Sequence, residues 1–219
     1  MCMSVIYGRK NNTMKKIFLL ICIVTLSGVE ACFSQEESKQ FIHKGLMRAQ
    51  GTISPGIMLK ENITTISLHG TLEYYIADNI SIRGDSYYFL KDNNTYDPSF
   101  AYNNSTFAGA SYHFKTKNHF DPYFAFEPGI AIAQSMYNYA HIHNIPSDTP
   151  PTYFSRAINP LISSAIGFNF YFQKIFHLFG EARYICGKHL SDAPTPLSLN
   201  ELRFSFGLGI NISVIKPKN

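Results

Sequence analysis

Tryptophan is absent from the 219-residue chain, cysteine occurs four times, and Asp, Glu, Lys and Arg together make up only 16% of it. A soluble domain carries about 25% charge, so the sequence lacks the ionic surface that such a domain shows to water. Cys2, Cys22 and Cys32 fall in or beside an N-terminal leader, which leaves Cys186 without a partner for an intramolecular disulfide. There is no CxxC and no Cys/His spacing suited to zinc. Phosphate-binding loops, dinucleotide fingerprints and HExxH are missing as well, so no cofactor or metal is expected.

What the chain does have is aromatic: 18 Phe and 14 Tyr. That load excludes intrinsic disorder, and composition excludes collagen-like and coiled-coil chains. One domain of ordinary size is expected. The net charge of +4 is uneven. Residues 1–34 hold Arg9, Lys10, Lys15 and Lys16 against Glu30 alone, while 35–219 hold 15 basic and 14 acidic residues. A basic pI points to nucleic acid only when the folded domain carries the excess, so no nucleic-acid partner is expected.

Met14-Lys15-Lys16 followed by the apolar run Ile17 to Leu26 and then small residues has the build of a secretory signal peptide. The run is too short for a spanning helix, which needs about 20 residues. Cleavage after Ser34 or after Ala31 fits the small-residue rule. A lipoprotein reading through Val29-Glu30-Ala31-Cys32 fits poorly, because a Glu stands so close to the Cys. Residues 1–13 match no part of a leader, and Met14 is the expected start. The expected organisation is an extension and signal peptide over 1–34, a short periplasmic tail over 35–44, a barrel over 45–214 and a tail over 215–219.

Eight segments show period-two alternation or Gly/aromatic strand composition. They lie at about 45–58, 66–77, 79–91, 104–114, 122–135, 156–172, 175–187 and 200–214. Ile66, Leu68, Leu72, Tyr74 and Ile76 alternate with Ser67, His69, Thr71, Glu73 and Tyr75, and the last segment puts Leu202, Phe204, Phe206, Leu208, Ile210 and Ile212 opposite Arg203, Ser205, Gly207, Gly209, Asn211 and Ser213. Short turns (77–79, 115–121, 173–174) alternate with longer polar loops. An even number of such strands predicts an all-β, eight-stranded antiparallel up-and-down barrel.

The polar face decides which side is out. Dense Lys and Glu would mark a water-facing surface. The alternate positions are instead small, such as Gly109, Ser111, Ala125, Gly129, Ala131, Ser163, Ala165 and Gly167, as a narrow interior requires. The few charges there, Glu73, Arg83, Asp85, Glu127, Glu181, Arg183 and Arg203, carry both signs. A buried charge must be paired, and hairpin register around Asp78 sets Glu73 opposite Arg83, so losing Arg83 is expected to strand Glu73. Tyr74, Tyr75, Tyr87, Tyr88, Tyr112, Phe114, Phe168, Phe170, Phe172 and Phe176 cluster near the strand ends, as interfacial belts do. The apolar face is therefore expected to meet lipid, making the barrel transmembrane.

Phe179-Gly180-Glu181-Ala182-Arg183-Tyr184 before a last strand Leu202 to Ile210, preceded by a signal peptide and the earlier strands, resembles the OmpA-type eight-stranded outer-membrane β-barrel domains over roughly 45–214. The resemblance implies a Gram-negative outer-membrane location with lipid and lipopolysaccharide as surroundings, assembly by the barrel-insertion machinery, and both termini in the periplasm. Members of that family often end on an aromatic residue, whereas this chain runs on through Ile215 to Asn219. Pro55, Pro128 and Pro160 fall inside strand segments, where each removes a ladder donor; bulges or kinks are expected at Ser54-Pro55-Gly56-Ile57 and Glu127-Pro128-Gly129-Ile130.

An eight-stranded barrel is filled by side chains, so a non-enzymatic role in envelope structure or loop presentation is expected. Lys188-His189-Leu190-Ser191-Asp192 is similar to the His-x-Ser site of outer-membrane lipid A deacylases, which implies a hydrolase with a His189 base and Ser191 nucleophile as the alternative. In that family an Asn follows the Ser; here Asp192 stands there, and Glu201 is the obvious orienting carboxylate. With 8 His in the chain, a loop end is the plainer reading. A second alternative, a small-ligand carrier or narrow conduit, needs an apolar interior. His141-Ile142-His143 with Asp148 is a weak metal candidate against the plainer solvated loop, and His69, His113 and His177 are expected to be hydrogen-bonded interior fillers.

Overall fold

Period-two alternation puts one row of side chains on each side of an extended chain, and a sheet of such strands buries one row only by curling onto itself or stacking. In the computed structural model the sheet curls and closes. It describes residues 41–93, 98–116, 119–137, 150–194 and 197–215; the leader, most of the 35–44 tail, His141, His143 and Asp148, and residues 216–219 lie outside these. The strands are β1 (Leu46–Met58), β2 (Ile63–Ala77), β3 (Ile80–Asp92), β4 (Ser99–His113), β5 (Phe120–Tyr137), the two-residue β6 (Thr152–Tyr153), β7 (Ala157–Tyr171), β8 (Phe176–Gly187) and β9 (Glu201–Ser213). The eight long strands pair antiparallel in chain order, and β9 pairs with β1. Closure leaves no free edge among them. β6 pairs only with the last two residues of β5.

The strand ends differ from the sequence expectation. β2 begins at Ile63, β4 at Ser99 and β5 at Phe120, and β5 runs on to Tyr137. The residues added to β4, Ser99 to Asn103, continue an Asn- and Asp-rich stretch, but they include Phe100 and Tyr102 and pair with residues from Ala133 to Met136 across the β4–β5 ladder. Pairing to a partner carries the strand into a stretch whose neighbours read as loop.

Of the bulges or kinks expected at the prolines, no bulge forms there. Register shifts occur between Ile66 and Ser67 and between Tyr75 and Ala77 in β2–β3, and between Phe100 and Tyr102 in β4–β5. At Pro55 the β1–β9 ladder is interrupted from Thr52 to Pro55, yet Gly51↔Leu208 and Gly56↔Arg203 keep one register. Proline supplies no N–H. Side chains cover the carbonyls left over: the Ser54 hydroxyl donates to Phe204 O (2.8 Å) and Thr52 to Phe206 O (2.6 Å). Likewise Phe107↔Gly129 and Ala110↔Phe126 hold register past Pro128, and Pro160 sits just where the β7–β8 ladder ends.

Both described ends of the chain lie at the short-turn end of the barrel. Val214 N–H donates to Gly45 O (2.9 Å), and Gly45 N–H to Tyr75 O (2.8 Å). Gly45 has φ +85, and a Cβ there would lie 2.5 Å from Ile215 Cβ, so glycine is required. Phe41 stacks on Tyr171, ring centroids 5.1 Å apart. At the opposite end the segment after β8 turns inward and buries Ala193, Leu197 and Leu199.

Candidate functional site

The outward row is apolar from one strand to the next. Ile53, Leu68, Leu72, Ile82, Phe126, Ile158, Ile162, Ile166, Phe206 and Leu208 all face away from the lumen; Ile166 is 64% and Phe206 65% exposed. Leaving ten such side chains in water forfeits on the order of 15 kcal/mol, as much as the whole stability of a domain. Hydrocarbon removes that cost. Tyr74, Tyr88, Tyr112, Phe114, Phe168, Phe172 and Phe176 are exposed on this surface. Tyr75 and Tyr87, expected in the same belts, instead point inward and are buried, because each occupies the opposite parity of its strand from Tyr74 and Tyr88.

The inward row holds the charges, and all seven singled out from sequence, Glu73, Arg83, Asp85, Glu127, Glu181, Arg183 and Arg203, are buried. Five of them meet at mid-barrel. Arg83 Nη2 lies 2.8 Å from both Asp85 Oδ1 and Glu181 Oε2, with Nε 3.3 Å from Glu127. Arg183 Nη2 reaches Glu127 Oε1 (2.9 Å) and Asp85 Oδ2 (3.0 Å), and its Nε reaches Glu181 Oε1 (3.0 Å). The Tyr123 hydroxyl donates to Glu181 (2.7 Å), and His69 Nε2 lies 2.8 Å from Asp85. Two guanidiniums thus face three carboxylates, and Glu127 Oε2 has no hydrogen-bond partner among the described residues.

Glu73 is not in this cluster. It stands opposite Arg83 in register, but its ion pair is with Arg48 (2.9 Å), and Arg83 reaches along its own strand and across the lumen instead. Register fixes which backbones are neighbours; a guanidinium on a long stem goes where carboxylates are densest. Near the short-turn end Arg48 also meets Asp121 (3.2 Å) and donates to the Tyr171 hydroxyl. His113 bridges the same two acids, Nε2 to Glu73 (3.0 Å) and Nδ1 to Asp121 (2.9 Å). Asn169 and Tyr171 donate to Asp121 Oδ2 at 3.0 and 3.1 Å. Toward the long-loop end Arg203 pairs with Glu201 (2.7 Å) and donates to Ser105 (2.8 Å), and the Thr65 hydroxyl donates to Glu201.

Arg48, Asp121 and the pairing of Glu201 are parts of the interior ion-pair network that the sequence reading misses. The signal for Arg48 exists: Arg48, Gln50 and Ser54 alternate with Met47, Ala49 and Ile53 along β1. Asp121 falls in a segment that reads as a turn, although β5 starts one residue before it. His69, His113 and His177 are buried, and Gln50 Nε2 donates to His177 Nε2 (2.9 Å). His69, Asp85 and Glu181 bring three donor atoms close enough for a cation, but Arg83 and Arg183 already hold both carboxylates.

The His-x-Ser pair is not assembled. His189 is buried with Nδ1 3.3 Å from Ser135 Oγ and its ring against Phe100; burial holds its pKa below the usual imidazole value. Ser191 Oγ accepts the Ala193 N–H (3.1 Å), Asp192 is hydrogen-bonded to Ser155, and Glu201 is committed to Arg203. Base, nucleophile and orienter each have another partner.

No protein-family model and no curated protein sequence matches the chain. Similar solved structures include the surface protein A of Neisseria, at 14% identity and TM-score 0.52 over 77% of this chain and 96% of that one. The outer membrane protein OprG from Pseudomonas aeruginosa is similar at 11% identity and TM-score 0.59 over 79% and 98%. At such identities the likeness is one of fold. A closed eight-stranded barrel with a lipid-facing apolar girdle and an ion-paired lumen is the architecture of an outer-membrane protein.

Proposed function

We propose that the protein is a non-enzymatic outer-membrane barrel of the OmpA-like kind, which reinforces the envelope or presents its long-end loops outside the cell. One observation carries the reading: side chains from opposite walls meet across the lumen. Arg48 of β1 meets Asp121 of β5, Arg83 of β3 meets Glu181 of β8, and Arg203 of β9 meets Ser105 of β4. Such ties fill the interior where a carrier would need an apolar cavity or a porin an open channel. The pairs make the barrel a stiff plug in the bilayer, leaving its rim and loops as the surfaces available to partners. In this reading the seven interior charges have a structural role, and the long-loop end faces outward.

The test is gel mobility of the mature protein from a detergent-insoluble envelope fraction, with and without boiling. A closed barrel resists SDS until heated and shifts on boiling. A soluble protein with no shift would overturn the reading. A Ser191→Ala chain that loses acyl release from lipid A, where the unaltered chain performs it, would overturn the non-enzymatic part alone.

A further inference from the structure

Above the apolar girdle, at the long-loop end, one exposed arginine is held in a fixed posture by its neighbours. Arg156 precedes β7, and the outward residues next to it along the wall, Ile158 on β7 and Ile132 on β5, belong to the girdle at 65% and 38% exposure. Its guanidinium sits over the Tyr102 ring, 5.0 Å from the centroid, and its Nε donates to Gln134 Oε1 (3.2 Å). Both supports are themselves fixed: the Tyr102 hydroxyl accepts from Asn104 Nδ2 (2.7 Å), and Gln134 Nε2 donates to Phe154 O (2.9 Å). Among the described residues no carboxylate pairs with Arg156. Asp192, near in space through Ser155, is taken by the Ser155 N–H (3.1 Å) and hydroxyl (2.8 Å).

An exposed arginine ordinarily loses side-chain entropy when it binds. Here the stem and ring plane are already held, and the two terminal nitrogens remain as a planar fork, the geometry that suits a phosphate. The fork stands one step above side chains that meet acyl chains, so its anion comes from the lipid itself. We infer that Arg156, seated on Tyr102 and fastened to Gln134, binds a phosphate group of the phosphorylated glycolipid in the outer leaflet. The inference rests on the outer-membrane reading and deepens it by naming the lipid contact.

The test uses the mature full-length chain in detergent, with native mass spectrometry reading retained lipid. The probes are bisphosphorylated lipid A, its dephosphorylated counterpart, and a soluble sulfated oligosaccharide. The unaltered protein should retain the phosphorylated lipid, and Arg156→Gln should lower retention about tenfold. Arg156→Lys, which keeps charge but loses the fork, should fall between. Lys174→Gln, at an exposed short-turn site at the other end, should match the unaltered chain. Equal retention by the unaltered chain and by both substitutions of Arg156 overturns the inference, as does equal retention of the dephosphorylated lipid. Binding of the sulfated oligosaccharide as tight as that of the lipid overturns the lipid source. The heat-shifted gel band, run on the same samples, reports on the barrel separately.

Discussion

The two ends of the lumen are filled differently by the same wall. Toward the short turns and through the middle, the inward row is ionic: Arg48, Glu73, Asp121 and His113, then Arg83, Asp85, Glu127, Glu181 and Arg183. At the long-loop end an apolar cluster joins it: Met58, Ile63, Phe100, Leu161 and Ile185 pack with Leu197 and Leu199 from the inturned segment, beside the buried Arg203–Glu201 pair. The difference follows from what can reach each region. In mid-barrel only wall residues can fill space, and long charged side chains from opposite strands meet there and satisfy one another. At the mouth a connecting segment can fold inward and bring its own hydrophobic side chains. A barrel wall therefore does not dictate one kind of core.

Breaking the ionic region should cost most. Arg48→Leu leaves Glu73 and Asp121 buried with a reduced set of donors, an expected loss of about 3–5 kcal/mol in the urea midpoint of the barrel folded in lipid vesicles. The register expectation makes Arg83 the partner of Glu73; double-mutant cycles with Glu73→Gln should give a larger coupling for Arg48 than for Arg83. The reverse order would restore the register-based pairing. A charge on the other side of the wall lacks all such partners. Ile166→Arg, outward on β7, is expected to cost about 2–4 kcal/mol if it sits near the bilayer midplane, whereas the same charge tolerated without loss would argue against lipid contact.

The apolar mouth should yield less. Leu199→Ala removes a buried side chain from a segment that can partly collapse, with an expected loss of about 2 kcal/mol in the same urea series. Smallest is an acid effect. His189 is kept neutral by burial, so the closed mouth binds fewer protons there than the opened one. Its stability should hold above the ordinary imidazole pKa of about 6.5 and weaken as pH falls below it. A lower protection factor over 188–194 at acid pH, with amide exchange corrected for its intrinsic pH dependence, is the expected reading, and His189→Gln should blunt it.

Strand number, pairing order and the parity of each strand are legible in the sequence because period two states them directly: Ile66 to Ile76 and Leu202 to Ile212 need no partner to be read. The ion pairs are not legible, because Arg83 and Glu181 or Arg48 and Asp121 are distant in sequence and meet only once the cylinder closes. The extension of β4 back to Ser99 is hidden by the Asn- and Asp-rich stretch that it continues, although Phe100 and Tyr102 are strand formers. The His189-x-Ser191 spacing is visible but uninformative, since only the folded chain reveals that His189 turns inward to Ser135 while Ser191 serves its own loop.

The absence of tryptophan offers the most direct test of the central claim that the apolar face meets lipid and the charged face the lumen. Single tryptophans at the outward Phe206 and the inward Phe107 would be the only indoles in the chain. In vesicles of acyl-brominated lipid, fluorescence from Phe206→Trp should be strongly quenched and that from Phe107→Trp largely spared. Quenching at 107 with none at 206 would turn the barrel inside out and contradict the account.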